Sequence, residues 1–159
     1  MAQNPAPVVR PDATVMLREV TRDTMRAVCH LQVAAEQREY VADNAFSIAQ
    51  AYFEPKAWFR AIYADETPVG FVMLSDDPDA PEYFLWRLMI DAAQQGKGFG
   101  RQAMALLVAY VRSRPAAREL LVSYHPGPRS PRDFYLKQGF CDTGRIEEGE
   151  VVLSLSLDS

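Results

Sequence analysis

DAAQQGKGFGRQAM, Asp91–Met104, joins the apolar run YFLWRLMI to a segment with helical periodicity, and the fold turns on how this junction is read. Three glycines fall on alternate positions, Gly96, Gly98 and Gly100, among Gln95, Lys97 and Arg101. A strand that runs into a helix leaves the first helical amides unpaired, at the positive end of the macrodipole. Glycine removes side chains from the approach and permits backbone angles closed to other residues. Lys97 and Arg101 add charge, and a guanidinium can grip two oxygens of one anion. The turn therefore suits a phosphate. The same residues also make a plain glycine-rich connection with solvated charges. The nucleotide loop GxxxxGK[ST] is absent, and Arg101 stands where a glycine would complete GxGxxG, which argues against ATP and against a simple dinucleotide fold.

Outward from the junction, apolar residues at Ala103, Leu106, Leu107, Tyr110 and Val111 form one helical face. Upstream, Tyr83–Asp91 reads as a strand, and Trp58–Ala64 and Val69–Ser75 read as a hairpin around DETP. The first strand is expected over Thr14–Val20, followed by a helix in TRDTMRAVCHLQV capped by Thr21 or Asp23, and a second helix over Asn44–Tyr52. Downstream come a strand over Leu120–His125 and a helix over Ser130–Gln138, with Ser130 as N-cap, Pro131 in its first turn and Gly139 at its end. Two last strands flank a turn near Glu148 and Gly149. The order β-α-α-β-β-β-α-β-α-β-β describes an α+β domain with a mixed sheet.

A chain of 159 residues forms one domain, expected over residues 14–159 after a flexible tail of residues 1–13. The net charge of -4, without a basic block, argues against a nucleic-acid partner. No apolar run approaches the roughly 20 residues that cross a bilayer, so no membrane partner is expected. The proline-bearing N-terminus lacks an apolar signal core, which points to the cytoplasm. Cys29, Cys141, His30 and His125 have no CxxC or HxxxH companions, so no metal site is expected.

Gln95-Gly96-Lys97-Gly98-Phe99-Gly100 resembles the [RQ]xxGx[GA] signature of the GNAT superfamily of N-acetyltransferases. LWRLMID just before it, and RDFYLKQGF after it, which is similar to the family's A-x-x-F-Y-x-x-x-G-F, extend the resemblance from about Val15 onward. The resemblance implies a mixed, mostly antiparallel sheet with a splayed fourth strand, flanked by helices, and acetyl-CoA as co-substrate. It implies that Gln95, Gly96, Lys97, Gly98, Phe99, Gly100 and Arg101 hold the pyrophosphate. It further implies that the backbone of Leu88, Met89 and Ile90 receives the pantetheine and thioester. Phe134 would pack on the cofactor, and Tyr135 would be the general acid. Pro128 stands where family members often carry an asparagine, so Ser130 is expected to replace that contact. Arg129 and Arg132 are candidates for the phosphates or simply solvated.

The sequence is also similar to bacterial diamine and spermidine N-acetyltransferases, which implies a polyamine such as spermidine as acceptor. A polycation asks for acidic and aromatic walls. Glu36, Glu39, Tyr40, Asp76, Asp77, Glu82 and Tyr83 are the candidates, with Glu82 and Tyr83 the choice because they adjoin the splayed strand. Trp86 and Arg87 occupy positions that are acidic in animal polyamine acetyltransferases, which leaves the general base to Glu82 or to a water chain. A peptide N-terminus, an amino acid or an aminoglycoside is the alternative acceptor, and a non-catalytic acyl-CoA sensor the alternative function. A homodimer is a further expectation from the resemblance, and the strand-rich VVLSLSL is the segment that could pair across subunits.

Overall fold

The hairpin expected around DETP forms, and the sheet grows outward from it. The computed structural model describes residues 7–158. Strands β2 (Ala57–Ala64) and β3 (Thr67–Ser75) pair antiparallel; β1 (Val15–Arg18) adds to β2, and β4 (Tyr83–Ile90) adds to β3. Helices α1 (Met25–His30) and α2 (Asn44–Phe53) intervene between β1 and β2. After β4 a 3₁₀ turn, Ala92–Gln94, leads through the glycines into α3 (Phe99–Arg112), which returns the chain as β5 (Glu119–Tyr124), parallel to β4. Helix α4 (Arg132–Lys137) precedes the hairpin of β6 (Cys141–Glu147) and β7 (Glu150–Ser156). The sheet order is β1-β2-β3-β4-β5-β7-β6.

Each face of the sheet is covered by helices whose apolar stripes explain their existence. On one face Phe99, Ala103, Met104, Leu107 and Val111 of α3 pack over Tyr83, Leu85, Leu120 and Val122. Met104 takes the place expected for Leu106, which stays exposed. On the other face Val28 of α1 meets Ala61, Phe71, Met73 and Met89, with Ile48 and Ala51 of α2 against them.

Several local expectations are corrected. Neither Thr21 nor Asp23 caps α1, whose N-cap is Thr24 without a side-chain bond. Ser130 does not cap α4, which begins at Arg132 after Pro131. The segment VVLSLS is β7 and is paired on both sides, by β5 and β6, so it has no free edge for a second subunit. Of the tail expected over residues 1–13, residues 1–6 lie outside the described residues; beyond them Val9 and Ala13 are buried, and the carbonyls of Pro7 and Val9 accept from Gln94 Nε2 and Lys97 Nζ, each at 2.9 Å.

The feature that builds a site lies in β4. Along β3, Met73 faces Arg87 while Leu74 faces Leu85, so Trp86 is an extra residue, a bulge. On its other edge β4 pairs with β5 only over Tyr83–Leu85. From the bulge onward the two parallel strands separate.

Candidate active site

A cavity of about 520 Å³ opens where β4 and β5 part. Leu85 to Ile90 line one side and Val122 and Ser123 the other. Past the bulge, β4 has no ladder partner on this edge, so alternate backbone groups of Trp86–Ile90 face the opening. Ile90 O is taken by the Gln95 side chain at 2.9 Å, which also donates to Gln37 Oε1 at 2.8 Å.

The glycine turn closes one end. Gly96 (φ 80) and Gly98 (φ 83) both adopt left-handed angles. A Cβ on Gly96 would touch nothing within 4 Å, so this glycine is required by backbone angle and not by room. Gly98 is the N-cap of α3 and offers no side-chain cap. The first bond into the helix is Gln102 N to Gly98 O, 3.2 Å, and the amides before it find no backbone acceptor among the described residues. Arg101 lines the cavity, with Nη2 only 3.7 Å from where a Gly98 Cβ would stand. An uncapped 14-residue helix, opening on left-handed glycine beside an arginine, is a seat for an anion.

A further wall is built by α4. Phe134 rests against the helix start, its ring 3.5 Å from a Cβ placed on Gly100. Tyr135 is 6% exposed, edge-on to Phe134 and Phe140 with ring centroids 5.5 Å away in each case. Burial pushes its phenol well above the ordinary tyrosine range. Both side chains line the cavity, as do Ser130 and Gln138.

Comparison with known proteins decides what this arrangement is. The family model of the acetyltransferase (GNAT) family matches residues 17–140. The chain belongs to the GNAT acetyltransferase family. It is 24% identical over 151 residues to the spermine/spermidine N(1)-acetyltransferase of Bacillus subtilis, covering 88% of this chain and 97% of that one. The PaiA N-acetyltransferase of Thermoplasma acidophilum, solved with coenzyme A, superposes with a TM-score of 0.69 at 14% identity, covering 90% and 99% of the two chains. The spermidine N-acetyltransferase of Vibrio cholerae, solved with coenzyme A and spermine, gives 0.71 at 15% identity over 90% and 95%. The sheet of this chain, mostly antiparallel with one parallel pair, is thus the GNAT fold. Acetyl-CoA is the co-substrate of this acetyltransferase, and the free amides and Arg101 fit its diphosphate. No helix among the described residues is long and apolar enough to cross a membrane.

The GNAT site gathers most of the residues expected from sequence, with three exceptions. Lys97 turns away from the cavity: its ammonium donates to Val9 O and to Gln94 Oε1 at 2.8 Å, and it holds the N-terminal segment. Tyr83 is fully buried under α3, and its hydroxyl donates to Pro115 O at 2.6 Å. Glu82 lies on the surface, 3.8 Å from Arg145. Leu88, Met89 and Ile90 line the cavity, as do Gln95, Gly96, Gly98, Phe99 and Gly100, the Phe99 ring itself packing into the core.

The acids expected around a polyamine are placed elsewhere. Asp76 accepts from Tyr110 at 2.5 Å and pairs with Arg114 at 2.9 Å, and no Asp or Glu lines the cavity among the described residues. Arg132 pairs with Asp142 at 3.4 Å, whereas Arg129 does reach the cavity wall. Sequence reasoning missed Val33, Gln37 and Val41, which come from the irregular segment before α2, where no periodicity marks them. Gln138 was detectable, because it follows Phe134 by four residues and shares its helix face.

Proposed function

We propose that this acetyltransferase transfers the acetyl group of acetyl-CoA directly to a small primary amine, with Tyr135 as general acid. The observation that carries the reading is a phenol held neutral by burial in the wall of the cavity where β4 parts from β5. Acetyl-CoA supplies an activated thioester. The amides at the start of α3 and Arg101 hold its phosphates, and those amides of β4 past the bulge that face the opening, at Leu88 and Ile90, donate toward the thioester carbonyl. Tyr135 gives its proton to the departing sulfur. The proton shed by the amine passes to water, since no carboxylate lines the cavity among the described residues.

An amine with a pKa near 10 is only about a thousandth neutral at pH 7, so the rate climbs with pH until the amine is free. It falls again only when Tyr135 ionises, above the ordinary phenol value of about 10, because the folded site raises that pKa. A polyamine acceptor is supported by the names of the relatives and by the sequence resemblance. An amine panel with a free-thiol readout, run beside calorimetric titration of coenzyme A, tests the whole reading. At least one primary amine is expected to release thiol, and Tyr135→Phe to lower that rate about 100-fold while abolishing the alkaline fall. An unchanged rate and profile in the variant removes Tyr135 from the chemistry. Coenzyme A binding without thiol release on any amine replaces the enzyme with an acyl-CoA sensor.

A further inference from the structure

Arg87 follows the bulge in β4 and lines the cavity, and its guanidinium also reaches Gln50 of α2 behind the wall. Nη1 donates to Trp86 O at 2.9 Å and Nη2 to Gln50 Oε1 at 3.1 Å, both neutral acceptors. Nε is buried and has no partner among the described residues. The acid whose field reaches it, Glu150, stands beyond ion-pair distance and lies 3.8 Å from His125. Burial pulls the guanidinium below its ordinary pKa, with Glu150 opposing. A half-buried cation that lines a cavity without a counter-ion is stabilised by an anion that enters there.

The cavity's charges show what that is. Arg87, Arg101 and Arg129 line it, and no carboxylate does among the described residues. Arg101 stands at the uncapped start of α3, where the cofactor's diphosphate satisfies it. Arg129 lies in the loop before α4. Arg87 is three strand residues from Ile90, about 10 Å away along β4, and turns toward Gln50 of α2. The anion it awaits is therefore not the diphosphate.

We propose that the acceptor is a primary amine that also carries a carboxylate, and that this carboxylate docks on Arg87 in the cavity wall. The planar fork of a guanidinium matches the two oxygens of a carboxylate, whereas a phosphate would keep an oxygen and a charge unmet. A polyamine meets the reverse of what it needs at this position, a fixed positive charge. This assignment rests on the chain acetylating a primary amine, and it names the class of that amine.

The test uses three sets of amines matched in chain length: amino carboxylates from glycine to 6-aminohexanoate together with α-amino acids, alkylamines without the acid, and diamines with spermidine. The wild-type chain is expected to favour the amino carboxylates in kcat/KM by about 100-fold over both other sets. Arg87→Gln should erase that preference, chiefly by raising KM, and leave the alkylamines within about threefold; Arg87→Lys, a point charge without the fork, should fall between. Calorimetric affinity for coenzyme A should be the same in all three proteins, and if a variant has lost it the wild-type preference alone decides. Preference for diamines or alkylamines in the wild type, or an equal loss on every set in Arg87→Gln, overturns the assignment. If no amine is turned over, binding of 6-aminohexanoate to the coenzyme A-loaded protein separates the two claims. Binding that Arg87→Gln abolishes keeps Arg87 and removes acetyl transfer, and no binding removes both.

Discussion

Lys97 and Arg101 lie four residues apart on the same turn and look alike in sequence, yet only one faces the cavity. The Lys97 ammonium is engaged by two neutral oxygens, at 2.9 Å on Val9 and 2.8 Å on Gln94. Arg101 stands at the bare helix start, where phosphate oxygens would find both charge and amides. Arg101→Gln is therefore expected to weaken coenzyme A binding by about tenfold, and the loss should shrink as salt screens the charge. Lys97→Met should leave that affinity within about twofold and instead loosen the segment around Val9, read as faster proteolytic nicking there. Equal losses of affinity from the two variants would mean that Lys97 does reach the cofactor. The sequence could not separate the two side chains. Their spacing fixes the turn, but the acceptor for Lys97 comes from residues 88 positions earlier in the chain.

The end of β3 is tied to the last turns of α3 by a compact polar cluster. Tyr110 donates to Asp76 at 2.5 Å, Arg114 donates to the same carboxylate at 2.9 Å, and Trp58 stacks on the Tyr110 ring with centroids 4.3 Å apart. The Asp76 side chain is only 8% exposed, so losing either donor leaves a buried acceptor short of a partner. Tyr110→Phe is expected to cost about 1–3 kcal/mol in urea unfolding at pH 8. Burial, then the bond to Asp76, pushes the Tyr110 phenol up to about 12. A raised folded-state pKa means that its stabilisation is complete below the free-phenol value of about 10 and is lost as pH rises through about 12. The wild type should thus lose stability between those values more steeply than the variant, and parallel curves would place the cluster's strength elsewhere. The same level of structure explains the Tyr83 correction. Tyr83 and Leu85 face the α3 core, but past the bulge Leu88 and Ile90 do, so the facing parity changes at Trp86. A period of two carried through from Tyr83 puts every later side chain of β4 on the wrong face. No glycine or proline marks the bulge, so the alternation alone could not reveal it.

Across the whole molecule, the order of elements and the DETP hairpin were legible because each rests on local periodicity or turn chemistry. The parting of β4 and β5 was accessible only through family resemblance, since its cause is pairing that stops after Leu85, between strands separated by all of α3. The loops that overhang the cavity were less legible still. Tyr40, before α2, reaches the loop after β5, where its hydroxyl accepts from Arg129 N at 3.4 Å. Gly127 makes room for it: a Cβ there would stand 2.3 Å from the Tyr40 hydroxyl oxygen. Tyr40 and Arg129 both line the cavity, so this contact joins two loops across the space proposed to receive the cofactor. Gly127→Ala should push the Tyr40 ring aside and speed coenzyme A dissociation by about three- to tenfold in stopped-flow displacement, with little change in the association rate. Tyr40→Ala removes the same bridge and should speed dissociation by a similar factor. Because both act through one contact, adding Gly127→Ala to Tyr40→Ala should change nothing further, and the double-mutant cycle should return a coupling as large as either single effect. Multiplying effects would show that Gly127 serves the loop's own backbone and that the two overhanging segments move independently.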